Sequence, residues 1–332
     1  LKLRKPKIAI TIGDVGGIGP EVALKALSQP GIYEICKPFL IGDVEFLLRE
    51  RELFQIKQPL NKITQVEKTD FNPDVINVLN VSNISLRDFK RTHNAMTGQA
   101  MMEYTEKAFE LLKTGQVHAV VGGPHSKKAV DEAGISFNGY PGLLQKWSNS
   151  KNAFIMLVAG NLRVCNVTLH ISMREACDAI KKDLVFDAIQ AVDTSVKELG
   201  IKAPRIAVAG LNPHAGERGM FGKEEIEEIQ PAILEAQNRG IDVKGPFAGD
   251  SLFYRCLEGR YDAYIGMYHD QAHIPLKTLA FEKSSGLIIG TPYVFATVGH
   301  GSAPDIAGKN IAFCGSMVET IKLVSSYGAH TL

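Results

Sequence analysis

"TIGDVGGIGPEV" occupies residues 11–22 and continues the apolar run "KIAI", so it reads as the turn from a first buried strand into a first helix. So many glycines after a strand suggest a dinucleotide fingerprint, but that reading fails. The glycines are Gly13, Gly16, Gly17 and Gly19, and no register yields G-x-G-x-x-G. Pro20 and Glu21 open the helix. Proline suits a first helical turn, but a glutamate at the positive helix end competes with a pyrophosphate for the same dipole. The GK[ST] of a P-loop is also missing. Two readings stay open for the stretch. One is a tight strand-to-helix turn; the other is a ligand-facing Asp14 at the C-terminal end of a strand, where α/β sheets bind ligands.

Outward from this corner the same alternation repeats. "VHAVV" (117–121), "FIMLV" (154–158), "RIAVAG" (205–210) and "DAYIGM" (262–267) are short β-branched runs of the kind buried on both faces. Between them lie helical stretches: "PEVALKALSQ", "GQAMMEYTEKAFELLKTG", "DLVFDAIQAVDTSVKELG" and "KEEIEEIQPAILEAQNRG". The last three end on Gly115, Gly200 and Gly240. Such alternation predicts an α/β fold with a largely parallel sheet. Residues 50–95 are least regular, with "ITQVEK" and "DVINVLNV" as candidate strands of an irregular hairpin region.

Composition narrows the function classes. The 332 residues are 45% hydrophobic, enough for one large or two medium cores. Net charge is +1, from 37 basic and 36 acidic residues, which argues against broad binding to nucleic acid or an anionic membrane. The five cysteines (Cys36, Cys165, Cys177, Cys256 and Cys314) show no CxxC spacing and read as reduced thiols. The basic start lacks the apolar core of a signal peptide, and nowhere do 18 apolar residues run uninterrupted. The expectation is a cytoplasmic protein.

Three histidines stand out. "LRVCNVTLH" leads into His170, "RIAVAGLNPH" into His214 and "YDAYIGMYH" into His269. Parallel strands bring their C-terminal ends to one edge, so the three imidazoles could converge there on a divalent cation with open positions for substrate oxygens. The spacing is no metal motif in itself, and His93, His118 and His330 read as ordinary surface or core histidines. Asp270 adjoins His269 and suits orientation of that imidazole. Asp250 opens "DSLFYRCLE", where capping the helix is its alternative role. Lys277 is a candidate partner for a substrate carboxylate, or an exposed lysine after a turn. "VGHGSAPDIAGKN" (298–310) carries His300, Gly301, Ser302 and Asp305 on small residues that permit close backbone approach. It reads either as an adenine–ribose pocket or as a surface loop before a C-terminal strand.

Taken together, "TIGDVGGIGPE", "NPHAGERGMFGKEE", "GPFAGDSLF", "MYHDQAHIPLK" and "HGSAPDIAGK" resemble the 4-hydroxythreonine-4-phosphate dehydrogenase family of pyridoxine biosynthesis across nearly the whole chain. The resemblance implies the two-domain fold of isocitrate and isopropylmalate dehydrogenases, with α/β/α layers rather than a Rossmann fold. It further implies NAD or NADP as cofactor, one divalent ion (Zn, Mg, Mn or Co) and a homodimer sharing the metal site. The domains expected are 1–127 plus 279–332, carrying much of the cofactor site, and 128–278, carrying the metal histidines and dimer interface, with the active site in the cleft between them. On this resemblance His170, His214 and His269 bind metal; Lys277, Asp250 and Asp270 are catalytic; and Asn212, Gly216, Glu217, His300, Gly301, Ser302 and Asp305 bind the cofactor.

The substrate positions depart from the pattern. Where the family reads Gly-His-Thr this chain has "GYP", placing Tyr140 and Pro141 there; Gly286 stands for an asparagine and Phe295 for an arginine. Losing these donors removes the bidentate grip that arginine has on phosphate. "GYPGLL", "VTLH", "HIPLK" and "TVGHGSA" instead resemble a sister branch acting on the cis-dihydrodiol of terephthalate. The leading expectation is therefore metal- and NAD(P)-dependent oxidative decarboxylation of a non-phosphorylated β-hydroxy acid, with His273 and Tyr140 lining the altered pocket. The alternatives are 4-hydroxythreonine-4-phosphate dehydrogenase itself, a metal- and nucleotide-binding paralogue without catalysis, and a metal-dependent hydrolase.

Overall fold

The computed structural model describes residues 5–81, 84–256 and 258–328, without the side chains of residues 255 and 256, so His330 and the Cys256 thiol lie outside the described residues. Its strands are β1 (Lys7–Thr11), β2 (Lys37–Gly42), β3 (Leu60–Ile63), β4 (Ile76–Asn80), β5 (Ala119–Gly122), β6 (Phe154–Ala159), β7 (Leu162–Asn166), β8 (Ile206–Ala209), β9 (Val243–Phe247), β10 (Ala263–Gly266), β11 (Ser285–Ile289) and β12 (Phe295–Val298). The described residues form two compact units, one lying within 1–140 and 293–326, the other within 141–292 and 327–332.

In the first unit the strand order is β3-β4-β2-β1-β5-β12, with every pairing parallel. The apolar runs seen in the sequence are buried on both faces: Ile8, Ala9, Ile10, Val120, Phe39 and Leu40 are fully covered. At about 25 cal/mol per Å² of apolar surface, each of the larger side chains contributes roughly 1.5–3 kcal/mol. The segment at 60–80 corrects the expectation of a hairpin. β3 and β4 pair in parallel, Leu60 with Ile76 and Ile63 with Leu79, joined by a crossover too long for a tight turn.

The second unit has the order β11-β6-β7-β10-β8-β9. Here β6 runs antiparallel to both neighbours, whereas β7, β10, β8 and β9 are mutually parallel. Leu157, Val164, Ala207, Leu252, Tyr264 and Leu276 belong to its core. The helices expected at 183–200 and 98–115 appear as Lys182–Glu198 and Ala95–Lys113. "KEEIEEIQPAILEAQNRG" is not one uniform helix: Glu225–Ile229 is a π-turn that passes into an α-helix at Gln230–Asn238. Pro231 is the cause, since it has no N–H to give the preceding turn. After residue 310 the chain forms the helix Gly315–Ser326 rather than a strand. No helix among the described residues is long and apolar enough to cross a membrane.

Candidate active site

The glycine-rich corner is a packed turn, as its simpler reading held. A Cβ on Gly16 would lie 2.4 Å from the Thr92 carbonyl oxygen, and one on Gly17 would lie 2.3 Å from the Ser302 carbonyl oxygen. The glycines are there so that three backbone segments can touch. Asp14, just past the end of β1, is fully buried. Its Oδ1 accepts from the Gly16 N–H at 2.8 Å.

In the second unit, three adjacent parallel strands deliver the three singled-out histidines past their C-terminal ends. His170 follows β7, His269 starts the helix His269–Ala280 after β10, and His214 follows β8. The rings of His170 and His269 stand 5.9 Å apart, centroid to centroid. His269 Nδ1 lies 2.6 Å from Asp270 Oδ1, so its N–H points at the carboxylate and the Nε2 lone pair is left for a ligand. His214 does not join this pair; its ring neighbour is Phe221, at 6.3 Å. Among the described residues, no group of three or more His, Cys, Asp or Glu side chains is gathered tightly enough to hold a metal ion.

His273 lies one turn along the helix from His269, with ring centroids 3.8 Å apart. It is 8% exposed, and so supports His269 from beneath rather than opening onto solvent. The Asn166 amide sets its tautomer. Asn166 Nδ2 donates to the Thr168 carbonyl at 2.7 Å, so Oδ1 is the acceptor for His273 Nε2–H at 3.3 Å. Burial first, then the nearby His269, Lys277 and His170, pushes the His273 pKa down to about 3, and the ring is neutral at physiological pH.

His214 sits in an unusual turn. From His214 to Arg218 five successive residues are left-handed, with φ of 52°, 52°, 78°, 41° and 58°, and only Gly216 is a glycine. Each non-glycine residue so held costs roughly 1–2 kcal/mol. The compensation is Glu225, 3% exposed on the π-turn. Its Oε1 accepts from the Leu211 and Asn212 N–H groups, both at 2.7 Å, and its Oε2 from Asn212 Nδ2 at 3.0 Å. A Cβ at Gly216 would approach Glu225 Oε2 to 2.6 Å, so the glycine is required there. His214, Asn212, Asp250 and Asp270 line one cavity of about 720 Å³ with Tyr254, Tyr268 and Ile274. Asp250 is exposed in the first turn of the helix Gly249–Leu252 but does not cap it; Ala248 holds that position. Lys277 is half-buried, its Nζ 5.8 Å from the Phe281 ring centre.

The remaining predicted substrate residues are packed rather than open. Tyr140 is 1% and Phe295 0% exposed, with ring centroids 4.9 Å apart. The Tyr140 hydroxyl donates to the Gly123 carbonyl at 3.0 Å, and burial pushes its pKa well up. Pro141 is buried at the start of the helix Tyr140–Ser148, and Gly286 is buried inside β11 opposite Leu157. The residues expected to bind the cofactor fall in both units. In the first, Gly301 and Asp305 are exposed, Ser302 is buried, and His300 Nδ1 is 2.9 Å from the Gly301 carbonyl oxygen. In the second, Glu217 is exposed on the left-handed turn beside the buried Gly216.

Reading the histidines singly missed one of them. His93, taken as an ordinary histidine, has Nδ1 2.7 Å from Asp14 Oδ2 and Nε2 3.3 Å from Ser302 Oγ. Glu225 was also missed, as one acidic residue in a charged helical stretch. Neither carries a local signal, because each acts on a partner distant in sequence.

The PdxA family model, described as pyridoxal phosphate biosynthetic protein PdxA, matches residues 34–324. A protein of Fusobacterium nucleatum named "Putative D-threonate 4-phosphate dehydrogenase" is 38% identical over 324 residues, 97% of each chain. The crystal structure of 4-hydroxythreonine-4-phosphate dehydrogenase from Klebsiella pneumoniae is 34% identical, with a TM-score of 0.86 over 96% of this chain and 98% of that one. A terephthalate 1,2-cis-dihydrodiol dehydrogenase from Burkholderia xenovorans is 31% identical, with a TM-score of 0.67 over 97% and 98% of the two chains. Matched along nearly its whole length by dehydrogenases, and α/β without a Rossmann fingerprint, the chain belongs to the PdxA family.

Proposed function

We propose that the protein is an NAD(P)-dependent, metal-assisted dehydrogenase of a small phosphorylated hydroxy acid of the threonate 4-phosphate class. The observation that carries this reading is the His170–His269 pair beyond adjacent parallel strands, with Asp270 orienting the second ring. The substrate class rests on the relatives. Identity is higher to the protein named as a D-threonate 4-phosphate dehydrogenase than to the dihydrodiol enzyme, so a phosphorylated substrate, as in the 4-hydroxythreonine-4-phosphate alternative, moves ahead of the non-phosphorylated one.

His170 and the Nε2 of His269 are two nitrogen donors suited to a divalent cation. The third is His214 of a second copy of the chain, which would make the site whole only in a homodimer. Exposed apolar side chains near these histidines in sequence, Ile171, Met173, Met220, Phe221 and Ile274, favour such an interface. A bound divalent ion lowers the pKa of a coordinated substrate hydroxyl. Lys277 neutralises the substrate carboxylate, and Asp250 and Asp270 are the groups available to take the hydroxyl proton. In the first unit, the loop carrying His300, Gly301, Ser302 and Asp305 takes the dinucleotide. Where the oxidised hydroxyl is β to the carboxylate, the keto acid formed loses carbon dioxide.

One observation favours a non-phosphorylated substrate as the second reading. Tyr140 and Phe295, at positions where the resembled family has a histidine and an arginine, are packed together and buried, and offer no donor to a phosphate. Reduction of NAD+ and NADP+ should be followed with D-threonate 4-phosphate, 4-hydroxythreonine 4-phosphate and a cis-dihydrodiol carboxylate, each with and without chelator. Chelator-sensitive turnover of a phosphate ester is expected. Turnover of the dihydrodiol alone establishes the second reading, and full activity in a verified metal-free enzyme removes the role of the histidines.

A further inference from the structure

Asp14, His93 and Ser302 come from three separate segments of the first unit and meet in one hydrogen-bonded line. Asp14 is completely buried, and its Oδ1 is already occupied by the Gly16 N–H. Oδ2 lies 2.7 Å from His93 Nδ1, so the imidazole N–H points at the carboxylate. In the neutral ring Nε2 then carries a lone pair, and Ser302 Oγ, 3.3 Å away, is the donor to it.

Each member is held in place. Arg91 forms paired bonds of 2.8 and 2.6 Å to the buried Glu50. Asn94 caps the helix Ala95–Lys113 in a capping box with Thr97, so both flanks of His93 are anchored. The Ser302 carbonyl accepts from the Ile18 N–H at 2.8 Å, and Gly17 lies against its Cβ. Beside it a side chain at Gly301 would meet nothing within 4 Å, so the loop has an open face there. The order Asp–His–Ser is that of an acyl-transfer triad. Ser302 is 7% exposed and wedged against Gly17, however, which suits a fixed contact better than an attacking nucleophile.

We propose that Asp14 and His93 are positioning residues that hold the Ser302 hydroxyl as a hydrogen-bond acceptor for an N–H or O–H group of the bound dinucleotide. This rests on the cofactor reading of the 300–305 loop. With its proton committed to His93, Ser302 presents only lone pairs to a ligand. An amide, amino or ribose hydroxyl donor is received there, and a phosphate oxygen is not.

The test is a double-mutant cycle read as NADH and NADPH dissociation constants, by fluorescence titration of the full chain. Ser302→Ala removes little volume and should weaken the preferred dinucleotide about tenfold, the effect of one lost hydrogen bond. His93→Phe should weaken it about three- to tenfold, and the double variant should bind within about twofold of Ser302→Ala. Such non-additivity shows that His93 acts through Ser302; independent, multiplying losses mean a structural role and overturn the relay. If His93→Phe does not fold, Asp14→Asn completes the same cycle. Unchanged affinity in Ser302→Ala, with the wild type binding normally, overturns this inference alone. A wild type that binds neither dinucleotide overturns the cofactor reading, and this inference with it.

Discussion

Asp270 holds His269 through a 2.6 Å contact between Oδ1 and Nδ1, although the carboxylate itself is 68% exposed and the ring 38%. The contact directs the ring while adding little to folding, since contacts between solvent-exposed polar side chains contribute about 0–1 kcal/mol.

Asp270→Asn should therefore separate metal affinity from stability. Binding of a divalent ion is expected to weaken by about 10- to 100-fold, the usual effect of losing an orienting partner of a histidine ligand. The urea midpoint should stay unchanged. Equal metal affinity in variant and wild type, measured by competition with a chromophoric chelator, would show that Asp270 does not tune His269 for a metal.

The left-handed turn at 214–218 depends on Glu225. Glu225→Ala should cost about 3 kcal/mol, because backbone donors at Leu211 and Asn212 lose a charged acceptor. Denaturant unfolding measures the loss. Gly216→Ala should be destabilising too, by about 1–2 kcal/mol from its left-handed backbone, before the clash with Glu225 is added. On the proposed metal role of His214, both variants should also lose chelator-sensitive turnover.

The depressed pKa of His273 ties stability to pH. The folded ring resists protonation down to about 3, whereas the unfolded ring takes a proton near 6.5, so the unfolded state binds more protons between those values. Stability is fully present above pH 6.5 and falls as pH drops toward 3, by at most about 1.4 kcal/mol per pH unit from this group. In chelator-treated protein, His273→Gln should flatten that slope. An identical pH dependence of unfolding in the variant contradicts the assignment.

Tyr140→Phe removes a single oxygen from a packed site and takes a partner from the Gly123 carbonyl. A loss of about 1–2 kcal/mol is expected. Calorimetric unfolding checks it, with the Tyr140–Phe295 contact preserved.

The strands, the parallel arrangement and the three histidine corners were legible because each rests on a local pattern. β1, β5, β6, β8 and β10 fall where the β-branched runs lie, and His170, His214 and His269 follow parallel strands as their lead-ins predicted. The parallel pairing of β3 with β4, in place of the hairpin expected before residue 95, was not legible, because parallel and antiparallel neighbours present the same apolar runs. Tyr140 and Phe295 were placed on a pocket wall because sequence position says nothing of the depth at which a side chain lies.

By itself the sequence determined the elements and the edge at which the imidazoles emerge, since periodicity and turn chemistry act over a few residues. Only the tertiary structure decided that Asp14, His93 and Ser302 form one line, that Glu225 secures the turn of His214, and that His273 is neutral beneath His269. Hydrogen bonds reach about 3 Å and depend on direction. Their partners here are brought together by the packing of separate segments, and no local pattern of residues records that meeting.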